Sequence, residues 1–404
     1  MKSLAVLLLL PATLGANFPV PRPVAPTAQV RLGFDSNPRG SAGSTQAAWG
    51  DDSSLTCTLG AGFNLLPADR PLTLGYQGEW TGFAGQPQED FSTHRLAFGL
   101  QRTVGGWKFQ TEGSSLFIAG GIDTLPALST ANANAVSLWR DRRRQWQHRL
   151  RLQAQTETAT RVLRATGTLL DVDYRTAVVP GKVAFADRAD ALAGLDVGWK
   201  GPAASLWFAG LRTGRQTQAV VPLPDCNFDY SSNYHRVVLG WEGRLPAGAT
   251  VALTAGPDFR RFTGAIDPVA FSPDRSRTSL WFEGSLTAKP HPHWALSAKA
   301  GRFSWLSSTG KSAYLDSSAE ISATWTPGHD WSFRAGAKLH RCDYLPARRD
   351  DWESLWSAAA IRSLSKRTRV MFEIVRHRAW NGLPAAAERE FRRLLVQLGT
   401  TITM

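Results

Sequence analysis

From about Gln29 onward the chain repeats one unit: a stretch of roughly ten residues whose side chains alternate apolar and polar, the period-two pattern of a strand with one apolar face. In Trp331–His340 one face carries Trp, Phe, Ala, Ala and Leu, and the other carries Ser, Arg, Gly, Lys and His. Between Tyr314 and Trp325, Leu315, Ala319, Ile321, Ala323 and Trp325 oppose Asp316, Ser318, Glu320, Ser322 and Thr324. Leu72, Leu74, Tyr76 and Trp80 do the same, as do His235, Val237, Leu239, Trp241 and Leu245. No amphipathic helix competes with this rhythm. The polar faces are too charged to pack against a second sheet, yet they recur along almost the whole chain.

The connections decide what the strands build. Short, turn-like links (Leu66–Arg70, Val104–Gly106, Lys200–Pro202, Leu245–Gly248, Lys289–Pro292, Thr326–His329, Ser363–Lys366) alternate with long irregular ones. The long set covers approximately 36–52, 84–91, 119–144, 177–188, 217–232, 262–276, 305–313, 341–351 and 377–388. A soluble sandwich has no reason to alternate in this way; an outer-membrane barrel does, with short periplasmic turns and longer outer loops. The expected fold is therefore all-β: a transmembrane antiparallel up-and-down β-barrel of about 18 strands. The join near 157–161 shows no clean turn, which leaves 16 as the alternative.

Composition agrees once it is split by face. The 404 residues are 43% hydrophobic and 20% charged, an average that looks soluble only because apolar and polar positions alternate. Three cysteines exclude a disulfide scaffold, and the aromatic content excludes a disordered chain. After the first residues no apolar run is long enough for a spanning helix. Met1-Lys2-Ser3, the apolar run Leu4–Leu10 and the small residues Gly15-Ala16 read as a secretory signal peptide over 1–16. A Pro-rich periplasmic tail is expected over 17–27 and the barrel over 28–404.

Tryptophan placement points the same way, because indole prefers the membrane–water boundary. Trp107, Trp199, Trp294, Trp325 and Trp331 sit beside the short turns, while Trp80, Trp146, Trp305, Trp352 and Trp380 sit near the long loops.

Two terminal strands carry a resemblance. Val30-Arg31-Leu32-Gly33-Phe34-Asp35-Ser36-Asn37-Pro38 resembles the first strand of porin-like outer-membrane β-barrels of Gram-negative bacteria, which often begin with a glycine–aromatic–Asp-Ser-Asn segment. The closing strand, with Leu394, Val396, Leu398, Thr400, Ile402 and Met404 on one face, is similar to the terminal strand read by the barrel-assembly machinery. Met404 stands where that pattern usually has an aromatic residue. The resemblance implies an outer-membrane location and a porin-like class, and names no solute.

A barrel of this size leaves an aqueous channel. With the apolar face on lipid, the charged face lines it. The expected lumenal bases are Arg31, Arg95, Lys108, Arg149, Arg151, Lys200, Arg236, Arg244, Arg277, Lys299, Arg334, Lys338, Arg362, Arg369 and Arg393. Against them stand Asp35, Glu79, Glu112, Asp196, Glu242, Glu283, Asp316, Glu320 and Glu373. That excess, within a net charge of +13, predicts a channel favouring small anionic solutes. The alternative is a non-conducting barrel serving as scaffold, adhesin or export partner.

The longest connection, 119–144, ends in Arg140-Asp141-Arg142-Arg143-Arg144. By resemblance to general porins, whose third loop narrows the lumen, this run is a candidate constriction. As a solvated loop it would instead touch lipopolysaccharide phosphates. Cys226 and Cys342 both fall in the expected outer loops, and Cys57 shares the lipid-facing phase. His291 and His293 make a poor metal pair, so no metal or other cofactor is expected. His94 and His148 face lipid and no nucleophile–base motif accompanies them, so no enzyme is expected. The dispersed bases form no nucleic-acid groove. Expected partners are outer-membrane lipid and lipopolysaccharide, the assembly machinery, small anions and, in an oligomer, further copies of the chain.

Overall fold

The computed structural model describes residues 24–38, 53–66, 72–120, 144–175, 186–219 apart from 203, 229–264 apart from 246–247, 275–306, 313–345, 349–381 and 391–404. The expected signal peptide and Arg140–Arg143 lie outside them, as does Cys226.

Eighteen antiparallel strands form one sheet closed on itself. In chain order they are β1 Val24–Asp35, β2 Ser54–Leu66, β3 Leu72–Phe83, β4 Phe91–Val104, β5 Trp107–Ala119, β6 Gln145–Glu157, β7 Arg161–Tyr174, β8 Arg188–Lys200 and β9 Leu206–Gln218. The second half comprises β10 Ser232–Leu245, β11 Ala249–Phe262, β12 Ser276–His291, β13 Trp294–Leu306, β14 Ala313–Trp325, β15 Trp331–Leu345, β16 Arg349–Ser363, β17 Thr368–Asn381 and β18 Phe391–Thr403. Each strand pairs with its sequence neighbours, and β1 also pairs with β18, so no edge is left where the sheet closes. The first strand starts at Val24, within the expected tail, with an irregularity between Val24 and Thr27.

Local sequence sets the turns. Gly105 and Gly106 both have positive φ (56° and 81°), which a tight two-residue hairpin between β4 and β5 requires and only glycine adopts without strain. Between β6 and β7 the turn is built by threonine: Thr158 accepts the Arg161 N–H on Oγ1 at 3.1 Å, and its own N–H donates to the Arg161 carbonyl at 2.9 Å. The long-loop end is less regular than expected. The link between β15 and β16 spans only residues 346–348, because both strands run on past the expected loop.

Cross-strand partners share a face, so the register carries one facing assignment round the barrel. Leu32 opposite Leu398, Leu59 opposite Trp80, Leu211 opposite Val237 and Ile321 opposite Ala337 all lie on the outer face. Large apolar side chains are exposed there, Leu239 to 68%. That is the inverse of a soluble core and the signature of a wall solvated by lipid tails. Phe333 shares this outer face with Trp325, and Arg334 points the other way.

Closure is sealed at the Asp35-Ser36-Asn37 segment. Arg393 of β18 donates through Nε to Asp35 at 2.9 Å in a buried pair. The Asn37 N–H also donates to Asp35 at 3.0 Å, and the Asn37 side-chain amide donates to the Arg392 carbonyl at 3.1 Å. Ser36 exchanges bonds with Leu394 in both directions, its N–H donating at 2.9 Å and its hydroxyl accepting at 2.8 Å. The motif that carried the family resemblance is thus the latch between first and last strands.

Two outcomes follow for a protein refolded into lipid vesicles and titrated with urea. Leu239→Arg, on the lipid face, is expected to lose about 2–4 kcal/mol. Asp35→Ala, which removes the buried carboxylate that Arg393 and the Asn37 N–H both bind, is expected to lose about 3–5 kcal/mol.

Candidate functional site

Register places Arg95, Arg149, Arg151, Arg236, Arg244, Arg277, Lys299, Arg334, Lys338 and Arg369 on the inner face, opposite such partners as Glu112, Asp258 and Glu320. Arg362 is a correction. It pairs with Trp331 and Val370, on the outer face, and its guanidinium lies 5.5 Å from the Trp331 ring centre. At the short-turn boundary an arginine can cover an aromatic ring with its stem and leave its charge among headgroups.

Trp199, Trp294, Trp325 and Trp331 are exposed on the outer face beside the short turns, and Trp80 is exposed near the long loops. Trp294 stacks on Trp325 at 5.9 Å, and Trp325 on Phe333 at 5.4 Å, giving a continuous belt. Trp305 does not join the upper belt: it faces inward opposite Tyr314 and is buried. Cys342 likewise lies inside β15 and faces the lumen, not in an outer loop. Of the candidate constriction Arg140-Asp141-Arg142-Arg143-Arg144, only Arg144 is described; its carbonyl accepts the Arg175 N–H at 2.7 Å where β6 begins.

Among the described residues, one element folds into the lumen. β12 and β13 pair only from His291↔Trp294 to Phe282↔Arg302. Beyond that point Ser276–Trp281 remain joined to β11 alone, while Phe303–Leu306 stay with β14. The long-loop end of the β13–β14 hairpin has parted from β12 and folded inward, still paired to β15. Its two faces show this directly, because both are buried: Ser304, Leu306, Ala313 and Leu315 on one, Trp305 and Tyr314 on the other.

The first face packs Leu306 and Ala313 on Tyr230 and Phe262, beside the long-loop ends of β10 and β11. On the second, Trp305 and Tyr314 lie beside Cys342 and Tyr344 of the paired strand β15, and Leu170 of β7 packs against them. Polar bonds from β8 and β9 fix the tip. Gln216 of β9 donates to the Ser304 carbonyl at 3.0 Å. Arg188 of β8 donates to the Leu306 carbonyl and, at 3.0 Å, to the Tyr174 hydroxyl, with its guanidinium 5.4 Å from the Trp305 ring centre.

Beside the tip lies a buried basic network. Arg236 and Arg260 lie over the Tyr234 ring at 4.4 and 4.7 Å. Arg236 donates to Asp258 at 2.8 Å; Arg260 donates to Gln216 at 2.6 Å and Ser232 at 2.8 Å. The Tyr234 hydroxyl donates to Asp190 at 2.8 Å. Lower down, Asp196 is held between Arg212 and Arg164, and Arg164 reaches Glu242 at 2.7 Å. Arg31 pairs with Glu79 at 2.9 Å.

Burial along the inner face therefore runs in a gradient. On β10, Ser232, Tyr234, Arg236 and Val238 are buried, Glu242 is half-buried and Arg244 is exposed. On β15, Tyr344, Cys342 and His340 are buried, Lys338 is half-buried and Arg334 is exposed. Among the described residues Arg244, Arg334 and Lys338 make no ion pair. The lumen is open toward the short turns and filled toward the long loops.

A closed 18-stranded barrel with an apolar outer wall, two aromatic boundaries and a charged interior defines a transmembrane β-barrel of the outer-membrane type. The sequence matches no protein-family model and no curated protein. Among solved structures the barrel is similar to Pseudomonas aeruginosa OpdK with vanillate, at 10% identity and a TM-score of 0.43, over 94% of this chain and 99% of that one. It is also similar to OccK2 (OpdF) of the same organism in complex with glucuronate, at 12% identity and 0.43, over 95% and 98% of the two chains. A third likeness is to the ferric citrate transporter FecA, at 11% identity and 0.43, over 89% of this chain and 60% of that one. At such identities and scores these likenesses assign neither family nor solute.

Arg188→Ala removes the charge-assisted bonds that hold the tip and is expected to lower stability by about 1.5–3 kcal/mol. In a background with Cys57 and Cys226 replaced by serine, the same change is expected to speed labelling of Cys342 by a thiol reagent in the folded barrel.

Proposed function

We propose that this barrel is an outer-membrane channel for small anionic solutes, narrowed on its long-loop side by the inward tip of β13–β14. The observation that carries the reading is the coexistence of an open half lined by Arg244, Arg334 and Lys338 without ion-pair partners and a narrow half built on Arg188, Arg236 and Arg260. An anion drawn into the positive field of the open half meets Arg244, Arg334 and Lys338, donors suited to carboxylates and phosphates, while the buried guanidinium groups of Arg188, Arg236 and Arg260 hold the wall of the narrow half. The Arg140–Arg144 run remains a candidate second basic element of the constriction.

Outside the barrel, Arg376 and Arg378 of β17 and Arg392 of β18 share the outer face near the long loops. Arg378 lies 5.3 Å from the Trp380 ring centre, and Trp380 stacks on Trp352 at 6.0 Å. This basic and aromatic rim is suited to lipopolysaccharide phosphates.

The second reading, a non-conducting scaffold, is favoured by the same tip, which packs against both β7–β11 and β15. Planar bilayers separate the two. Purified refolded protein is expected to give discrete conductance steps and a reversal potential showing anion preference in a salt gradient. The pair Arg334→Glu with Lys338→Glu is expected to weaken or invert that preference. Absence of steps would support the scaffold, and cation preference of the unmodified channel would defeat the electrostatic reading.

A further inference from the structure

Where the wall begins to curl inward, three different metal-ligating side chains meet. His340 and Cys342 are two residues apart on β15, hence on one face, and Asp316 of β14 stands directly opposite Cys342 in the register. All three are buried, Asp316 completely. The Asp316 Oδ2 and His340 Nε2 atoms are 2.9 Å apart, and His340 Nε2 and Cys342 Sγ are 3.6 Å apart. One ligand atom from each lies within 4.8 Å of the others.

The His340–Cys342 separation equals a coordination-shell edge, and the Asp316–His340 separation would have to open by about 0.5 Å to become one. With zinc–nitrogen bonds of about 2.0–2.1 Å and zinc–sulfur bonds of about 2.3 Å, a tetrahedron has N···S edges of about 3.6 Å and N···O edges of about 3.4 Å. Hydrogen bonding alone serves the cluster poorly. Both contacts fall on the same nitrogen, His340 Nε2, which has at most one proton for two acceptors. Asp316 Oδ1 is buried with no hydrogen-bond partner, and so is the hydroxyl of Tyr314, which packs against Cys342. The shared nitrogen also argues against a nucleophilic thiol relay, which would need one ring nitrogen on the thiol and the other on the carboxylate.

We propose that Asp316, His340 and Cys342 form a site for a divalent transition-metal cation of the zinc type. Thiolate and imidazole donors suit such an ion and not magnesium or calcium. The charges balance: a carboxylate and a thiolate neutralise a doubly positive ion in a dry setting made by Trp305, Tyr314 and Tyr344. Binding transfers the Cys342 thiol proton to solvent, and no oxidant or reductant is required. Such an ion would cross-link β14 to β15 beside the hairpin tip and hold the constriction in place. The site does not depend on the channel reading, because binding is measured without reference to conductance.

Cobalt(II) added to the full-length protein refolded in detergent tests the proposal. One equivalent is expected to produce a thiolate-to-cobalt charge-transfer absorption that zinc displaces. Cys342→Ser is expected to abolish the band while the barrel keeps its folded, heat-modifiable gel mobility. Cys57→Ser and Cys226→Ser are expected to retain it. Should the Cys342 variant fail to fold, Asp316→Asn, which keeps the thiol, must lower cobalt affinity at least tenfold. No charge-transfer band in the folded wild type, a band that survives Cys342→Ser, or unchanged affinity in Asp316→Asn would overturn the site.

Discussion

A peptide group in hydrocarbon has no water to bond to, so every backbone donor and acceptor at membrane depth must find a partner within the protein. For a chain of strands the solution is a sheet whose last strand returns to its first. The rest of this structure depends on that closure, and its hardest point is the junction of β1 with β18, more than 350 residues apart in sequence. Here the chain invests buried polar chemistry: Asp35, Ser36 and Asn37 bind Arg392, Arg393 and Leu394 through side chains and backbone together. Buried ion pairs seldom stabilise more than an apolar replacement would, but they are specific about geometry. Specificity is what a barrel of identical-looking hairpins needs, because a one-residue slip would exchange the lipid-facing and lumenal sets of side chains.

Once closure fixes the faces, charge inside becomes a question of distance from the long loops. Near them the bases are buried, stacked on rings and bonded to Asp190, Asp258, Gln216 and main-chain carbonyls. Nearer the short turns, Arg244 and Arg334 stand in the open lumen. The same residue type therefore serves as mortar in one half and as a source of field in the other. Net charge alone cannot divide these roles.

Much of this was legible in the chain because the lipid face demands apolar residues at every second position. The strand number, the belts at Trp199, Trp294, Trp325 and Trp331, and the split between Phe333 and Arg334 all follow from that demand. Arg362 was not legible: β16 mixes alanine and serine on both faces, and a snorkelling arginine at the boundary looks like a lumenal one. The β6–β7 turn was obscure because threonines close it where glycine or proline was expected. The inward hairpin was hidden because alternation implies one lipid face and one wet face. Its trace is there in retrospect, since Phe303-Ser304-Trp305-Leu306 and Ala313-Tyr314-Leu315 carry apolar bulk on both sides, as a strand buried on both faces does. The Asp316, His340 and Cys342 cluster needed the hairpin register, which no linear spacing reveals.

The parting of β12 from β13 also says how the wall meets the bilayer. The paired part of β12, from Phe282 to His291, is about ten residues, close to the 9–11 that a tilted strand needs to cross the hydrocarbon. The unpaired edge, Ser276–Trp281, thus begins about where the membrane ends. The hairpin can bend because only its rim above the lipid is asked to give up a neighbour. By that length the wall parts where the strand has already crossed the hydrocarbon, so the bend leaves no unpaired backbone to lipid.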